Sequence, residues 1–326
     1  MKKKLFLLII SAVLLLVAAC SGTEGNAESS SGGDEKQSGK PTVAVVLKGA
    51  DQEYFKLAEA GAKQAFKDFD VNGKFLAAST QTKEQELINI LEDLLTDKPD
   101  ALVVMPSTES AIPTLSKYTD KDIPVLLIDT NLNWDEKLTY IGIDNYTAGQ
   151  KAAEHLASLL SKGDEIAILE GVSGAAVNEE RVRGVKDYMK EAGIKIATSQ
   201  SADFDRTKAV NTMENILTAN PGIKGVFSAN DAMSLGALKA TTSNGVNIPI
   251  VGVDGTADGL ESIAAGEVTA TVGQNPYNMS YLGVENALKA IKGESVDREI
   301  DSGIELITEE NAAEHLEKVK EMLGKK

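Results

Sequence analysis

Nine short runs rich in aliphatic and β-branched residues punctuate the chain, at Val43–Lys48, Lys74–Ser79, Ala101–Pro106, Pro124–Asp129, Glu165–Glu170, Lys195–Ser201, Gly225–Asn230, Pro249–Asp254 and Val268–Gln274. Most are continuously apolar rather than alternating, the pattern of strands buried on both faces of a parallel sheet. Segments of helical spacing lie between them. Thr82–Thr96 puts Leu87, Ile90, Leu91 and Leu94 on one face, and Asp205–Ala219 does the same with Val210, Met213, Ile216 and Leu217. Strands alternating with helices predict an α/β fold with parallel sheets.

The strand ends carry the functional signal. Lys48, Asp129, Asn230, Asp254 and Gln274 each stand at or just after the carboxyl end of an apolar run. Ligands of open α/β sheets bind outside those ends. A single polar residue there could simply cap the next helix. Five in succession favour a cleft lined from both sides, in a chain whose folded part, roughly 285 residues, is long enough for two lobes.

The N-terminus reads as an export signal. Lys2, Lys3 and Lys4 precede an apolar stretch from Leu5 to Leu16, interrupted only by Ser11, and the small residues Val17-Ala18-Ala19 follow. That apolar run falls short of the roughly 20 residues a membrane span needs. Cys20 is the sole cysteine, which rules out an intramolecular disulfide. Leu16-Val17-Ala18-Ala19-Cys20 resembles a bacterial lipobox, so residues 1–19 are expected to be removed and Cys20 to carry a lipid. Residues 21–40 hold no large apolar side chain, and residues 20–41 are expected to form the lipid anchor and a flexible tether. The formal charge of −16 becomes more negative still without the three signal lysines. Such a balance argues against nucleic acid as a partner.

Catalytic and metal-binding patterns are sparse. His155 and His315 are the only histidines, each inside a helix expected to be exposed and far from other metal-type ligands. Gly171-Val172-Ser173-Gly174 follows a strand but is neither a nucleophile elbow nor a dinucleotide fingerprint. Asp68-Phe69-Asp70-Val71-Asn72-Gly73 imitates the start of an EF-hand loop, yet Ser79 stands where the bidentate Glu is required. Asn72-Gly73 is expected to be a turn before the strand at Lys74. No enzyme, cofactor or metal is expected.

Between Ser199 and Gln274 the words Ser201-Ala202-Asp203-Phe204-Asp205-Arg206, Ala229-Asn230-Asp231 with Met233 and Gly236, Val251-Gly252-Val253-Asp254-Gly255-Thr256 and Thr269-Ala270-Thr271-Val272-Gly273-Gln274 resemble the ribose/allose branch of the type I periplasmic binding proteins. The resemblance covers about residues 42–307. It implies two doubly wound parallel-sheet lobes joined by a three-crossover hinge, an N-lobe of 42–143 plus 275–303, and a C-lobe of 144–274 plus 304–326.

It also implies a ligand site. Arg181, Phe204, Asn230, Asp254 and Gln274 match the C-lobe half; in the N-lobe half Tyr54, Phe55 and Asp129 are retained and Gln52 stands where ribose receptors have Asn. Lys48, Met105 and Thr130 depart from the ribose pattern, and Val46-Leu47-Lys48 looks more like allose-type receptors. Trp134 and Tyr277 are expected to be rim or packing residues. The function implied is the solute-binding subunit of an ABC importer. It would be a monomer that captures a neutral monosaccharide, with a hexose favoured over ribose, for permease subunits driven by a cytoplasmic ATPase. A cyclitol, polyol or signal molecule is the alternative within the fold. A transcriptional regulator would need a helix-turn-helix where this chain has its signal, and a secreted α/β enzyme would need a base and nucleophile.

Overall fold

The computed structural model describes residues 39–324, so the signal segment, Cys20 and most of the tether lie outside the described residues. The described residues begin with β1 (Thr42–Leu47), α1 (Glu53–Asp68), β2 (Asn72–Ala77), α2 (Glu84–Thr96), β3 (Ala101–Met105), α3 (Ile112–Thr119), β4 (Val125–Ile128) and β5 (Thr139–Gly142). It continues through α4 (Asn145–Ser158), β6 (Glu165–Glu170), α5 (Ala176–Ala192), β7 (Lys195–Ser201), α6 (Arg206–Ala219), β8 (Gly225–Ser228), α7 (Asp231–Ser243), β9 (Ile250–Asp254), α8 (Ala257–Ala264) and β10 (Ala270–Gly273). The last elements are α9 (Pro276–Ile291), β11 (Glu299–Asp301), β12 (Glu305–Thr308) and α10 (Glu309–Met322).

Two six-stranded sheets result, in the orders β11-β5-β4-β3-β1-β2 and β12-β10-β9-β8-β6-β7. The pairing is parallel throughout, except that β12 runs antiparallel to β10. Strand β1 shows why the central runs are apolar at every position. Val43, Val45 and Leu47 face the core that contains Tyr54, Ala58 and Met279, while Ala44 and Val46 face Leu87, Leu91 and Leu115. Side chains alternate between faces, and here helices cover both faces. The outer strands β2 and β7 are only half-buried and are correspondingly more polar.

The described chain passes between the sheets three times, from β5 to α4, from β10 to α9 and from β11 to β12. Helix α4 accordingly packs on β8, β9 and β10, and α9 on β1, β3, β4 and β5. Helix α10 buries Ala312 and Leu316 against Leu260 and Ile263 of α8.

Several expectations need correction. Strands β5, β11 and β12, with the sequences TYIG, EID and ELIT, were not legible as apolar runs, being both short and bounded by polar residues or glycine. They exist because a neighbour pairs with them, as Tyr140 does with Glu299. Asn72-Gly73 is not a turn but opens β2, with Asn72 paired to Thr42 and its amide N–H donating to Pro41 at 2.9 Å. The reversal falls earlier, at Asp70, whose φ is +53°. His155 and His315 are half-buried rather than exposed. Burial lowers the proton affinity of His155, and His315 lies 3.3 Å from Glu305.

Candidate functional site

The carboxyl ends of the two sheets face one another across a narrow cleft that encloses only about 20 Å³ of open space. Lys48, Gln52, Tyr54, Phe55 and Asp129 line it from the first lobe, and Arg181, Phe204, Asn230, Asp254 and Gln274 from the second. All ten predicted site residues therefore meet in one place. Gln81 and Val177 complete the lining.

On the first lobe a buried polar cluster is built around Asp129. Its Oδ2 accepts from Lys48 Nζ at 2.5 Å and from Thr130 Oγ1 at 2.8 Å, and its Oδ1 from the Tyr54 hydroxyl at 2.6 Å. Lys48 Nζ also donates to Thr130 Oγ1 at 2.8 Å. Burial pushes the Asp129 carboxyl up, but the Lys48 charge and these hydrogen bonds outweigh it, and the group stays below its ordinary value. Burial, followed by the Asp129 charge, holds the Tyr54 phenol protonated. Tyr54 meets Phe55 edge to face, with ring centres 5.8 Å apart.

On the second lobe Arg181 reaches inward from α5. Its Nε donates to Asn145 Oδ1 and its Nη1 to the Ala229 carbonyl, both at 2.8 Å, and Nη1 lies 3.7 Å from Asp254 Oδ1. Gln274 Nε2 donates to the same Oδ1 at 2.8 Å, while Gln274 Oε1 is buried without a hydrogen-bond partner. Burial raises the Asp254 carboxyl to about 7 against the pull of Arg181, and the nearby Asp231 adds to the rise. Asn230 Oδ1 caps α7 by accepting from Met233 N, which fixes the direction of its amide nitrogen toward the cleft. Phe204 is seated against Gly171, where a Cβ would lie 2.1 Å from the ring.

Three of these residues have left-handed backbones: Asp129 (φ +63°), Phe204 (φ +58°) and Asp254 (φ +138°). Positive φ is uncommon outside glycine, and such conformations concentrate where a side chain must be held in one direction. Asp129 is held by its N–H to Ile141 and by the Tyr140 hydroxyl, which donates to its carbonyl at 3.0 Å.

Two lining residues escaped the sequence reading. Gln81 lies in the loop after β2 and could have been found by the same strand-end rule. Val177 gives no such signal, since an apolar residue near a helix start reads as packing. Met105 lies wholly inside the core beside β1. Trp134 packs in the cluster of Leu87 and Leu115, and Tyr277 is half-buried at the start of α9. Among the described residues no cluster of three or more His, Cys, Asp or Glu is arranged to hold a metal ion.

The chemistry of the cavity suits a neutral guest with many hydroxyls. Two cations and two carboxylates pair off as Lys48–Asp129 and Arg181–Asp254. Amides supply donors and acceptors, and each lobe adds an aromatic face.

Comparison with known proteins gives the same direction. The family described as periplasmic binding protein domain matches residues 43–295. The ribose import binding protein RbsB of Bacillus subtilis is 33% identical over 284 residues, covering 87% of this chain and 91% of that protein. An ABC transporter periplasmic solute binding protein from Actinobacillus succinogenes, solved with bound D-allose, superposes with a TM-score of 0.79 at 31% identity, covering 84% of this chain and 100% of that one. A carbohydrate transporter solute binding protein from Agrobacterium radiobacter, in complex with D-arabinose, gives a TM-score of 0.82 at 28% identity, covering 88% and 100%.

Proposed function

The chain belongs to the periplasmic binding protein family, and on that premise we propose that it is the capture subunit of an ABC sugar importer, closing two lobes on a neutral monosaccharide and delivering it to a permease. Its relatives are substrate-binding transport proteins, not enzymes. The carrying observation is the pairing of every charge in the cavity with an opposite one. Burying an unbalanced charge is costly, so a cavity whose two cations already face carboxylates favours an uncharged guest. A sugar phosphate would bring about two further negative charges. The unpartnered Gln274 Oε1 adds a buried acceptor suited to a hydroxyl.

A hexose of the allose type fits better than ribose. Lys48 fills the floor of the first lobe with a long donor-only side chain. Met105 is withdrawn into the core and Thr130 is engaged with Lys48 and Asp129, so neither adds a free donor to the cavity. The hydroxyl pattern read there therefore differs from that of ribose.

In this reading Cys20 carries the lipid that holds a monomeric receptor at the outer face of the membrane. The test is calorimetric titration with D-ribose, D-allose, D-galactose, myo-inositol and a sugar phosphate. A hexose is expected to bind most tightly, near micromolar, or about −8 kcal/mol. Ribose tighter by about tenfold, a difference of about 1.4 kcal/mol, would overturn the hexose preference. Preference for the phosphate would overturn the neutral-guest reading.

A further inference from the structure

The dipeptide Asn230-Asp231 faces two ways. Asn230 lines the cavity, whereas Asp231 points behind it and is only 1% exposed. Asp231 Oδ2 accepts from the backbone N–H groups of Gly255 and Thr256, each at 2.9 Å, and from Thr256 Oγ1 at 3.1 Å. Its Oδ1 accepts from Thr271 Oγ1 of β10 at 2.6 Å. Two glycines leave room for this carboxylate. A Cβ on Gly252 would stand 2.9 Å from Oδ1, and one on Gly259 2.6 Å from Oδ2.

We propose that Asp231 is the positioning residue for Asp254, fixing the turn that aims the Asp254 carboxylate at Arg181 and at the guest. The two N–H groups it holds directly follow Asp254, whose φ of +138° and neighbour Gly255 at +82° form a turn that would otherwise be costly. Asp231 thereby orients a cavity residue that its own side chain does not join. The proposal deepens the sugar-receptor reading and rests on it.

The same carboxylate acts on Asp254 through its charge. Asp254 is faced by Arg181 from α5, by Asp231 from α7, by Asp129 from the opposite lobe with its partner Lys48, and by the Tyr54 phenol. Arg181 draws its proton affinity down, whereas Asp231 and Asp129 raise it. Asp231 itself is pushed up by burial and drawn back by its hydrogen-bond donors.

The experiment is a carboxyl ¹³C NMR titration of the full chain, without sugar, in detergent micelles, with the Asp254 signal assigned by its loss in Asp254→Asn. In Asp231→Asn the amide oxygen can still serve the two N–H groups and the amide nitrogen can donate to Thr271, so the turn is kept while the charge is lost. The Asp254 midpoint is expected to fall by about half a pH unit or more. An unchanged midpoint overturns the action of Asp231 on Asp254 through its charge, and the positioning through the turn is decided by Asp231→Ala. In parallel, Asp231→Ala, where it folds, is expected to weaken D-allose binding at least about tenfold, since the turn loses its anchor. Affinity within about twofold of wild type in a folded Asp231→Ala protein overturns the positioning. A wild-type chain that binds no sugar would sink the receptor reading, while the titration still decides whether Asp231 acts on Asp254.

Discussion

Asn230 and Gln52 join the two lobes directly, the Asn230 amide nitrogen donating to Gln52 Oε1 at 3.3 Å across the cleft. Gln52 stands at the N-terminus of α1 but makes no side-chain hydrogen bond to that helix. Its Nε2 instead donates to the Phe204 carbonyl at 3.0 Å on the other lobe. One residue along, Glu53 Oε1 accepts from Ala257 N at 2.5 Å. These three bonds span the cleft between the lobes. Gln52→Ala should shift the sugar-free chain toward the open form and raise its radius of gyration in solution scattering. It should also weaken D-allose binding about three- to tenfold, in proportion to the lost closed population. An unchanged scattering profile with unchanged affinity would refute the clasp.

Asp254 is expected to dominate recognition on the second lobe. Truncation to Ala removes the acceptor facing Arg181 and Gln274. The affinity for the best sugar should fall by about 2–5 kcal/mol, as when a partner of a buried charged pair is removed. Circular dichroism should show the fold intact. A variant that binds as tightly as wild type would remove Asp254 from the site.

Stability should depend on pH through the same side chain. Its folded-state value, about 7, lies above the ordinary carboxylate value near 3.9. Between these values the folded chain binds the proton more strongly than the unfolded chain does. Its contribution is therefore present at low pH and lost as pH rises toward 7. Asp129, held below its ordinary value, acts in the opposite sense and only at more acid pH. The melting temperature of Asp254→Asn minus that of wild type should thus grow from about pH 5 to about pH 8. A flat difference would contradict the raised value.

Gly171 makes the seat of Phe204, so Gly171→Ala should displace that ring. A methyl group there would meet the Phe204 Cζ at 2.1 Å. Binding should weaken about three- to tenfold through lost ring contact, with about 1–3 kcal/mol of stability lost to overpacking. Both can be read from calorimetry and chemical denaturation. Full affinity in Gly171→Ala would show that the ring does not touch the guest.

Cys20 should carry the membrane anchor. Mass spectrometry should find an acylated N-terminal cysteine, and Cys20→Ser should move the protein from the detergent phase to the aqueous phase. A wild-type chain without an acyl group would end that assignment.

The sequence by itself determined the central strands of both sheets and, through the polar residues at strand ends, five of the residues that line the cleft. Central strands such as β1 and β3 had to be apolar at every position because helices cover both faces, so they announced themselves locally. The polar residues at their carboxyl ends followed from the same pattern, as the later placement of Lys48, Asp129, Asn230 and Asp254 shows. Tertiary structure alone decided what depends on partners far along the chain. Strands β5, β11 and β12 are too short and too polar to be specified without their neighbours. The opening of β2 at Asn72 was fixed by pairing with β1, against the local turn preference of Asn-Gly. Which polar atoms meet was likewise invisible in one dimension. Gln52 reaches Asn230 and Asp231 grips Gly255 and Thr256 because folding brings together ends whose hydrogen-bond requirements no local sequence can express.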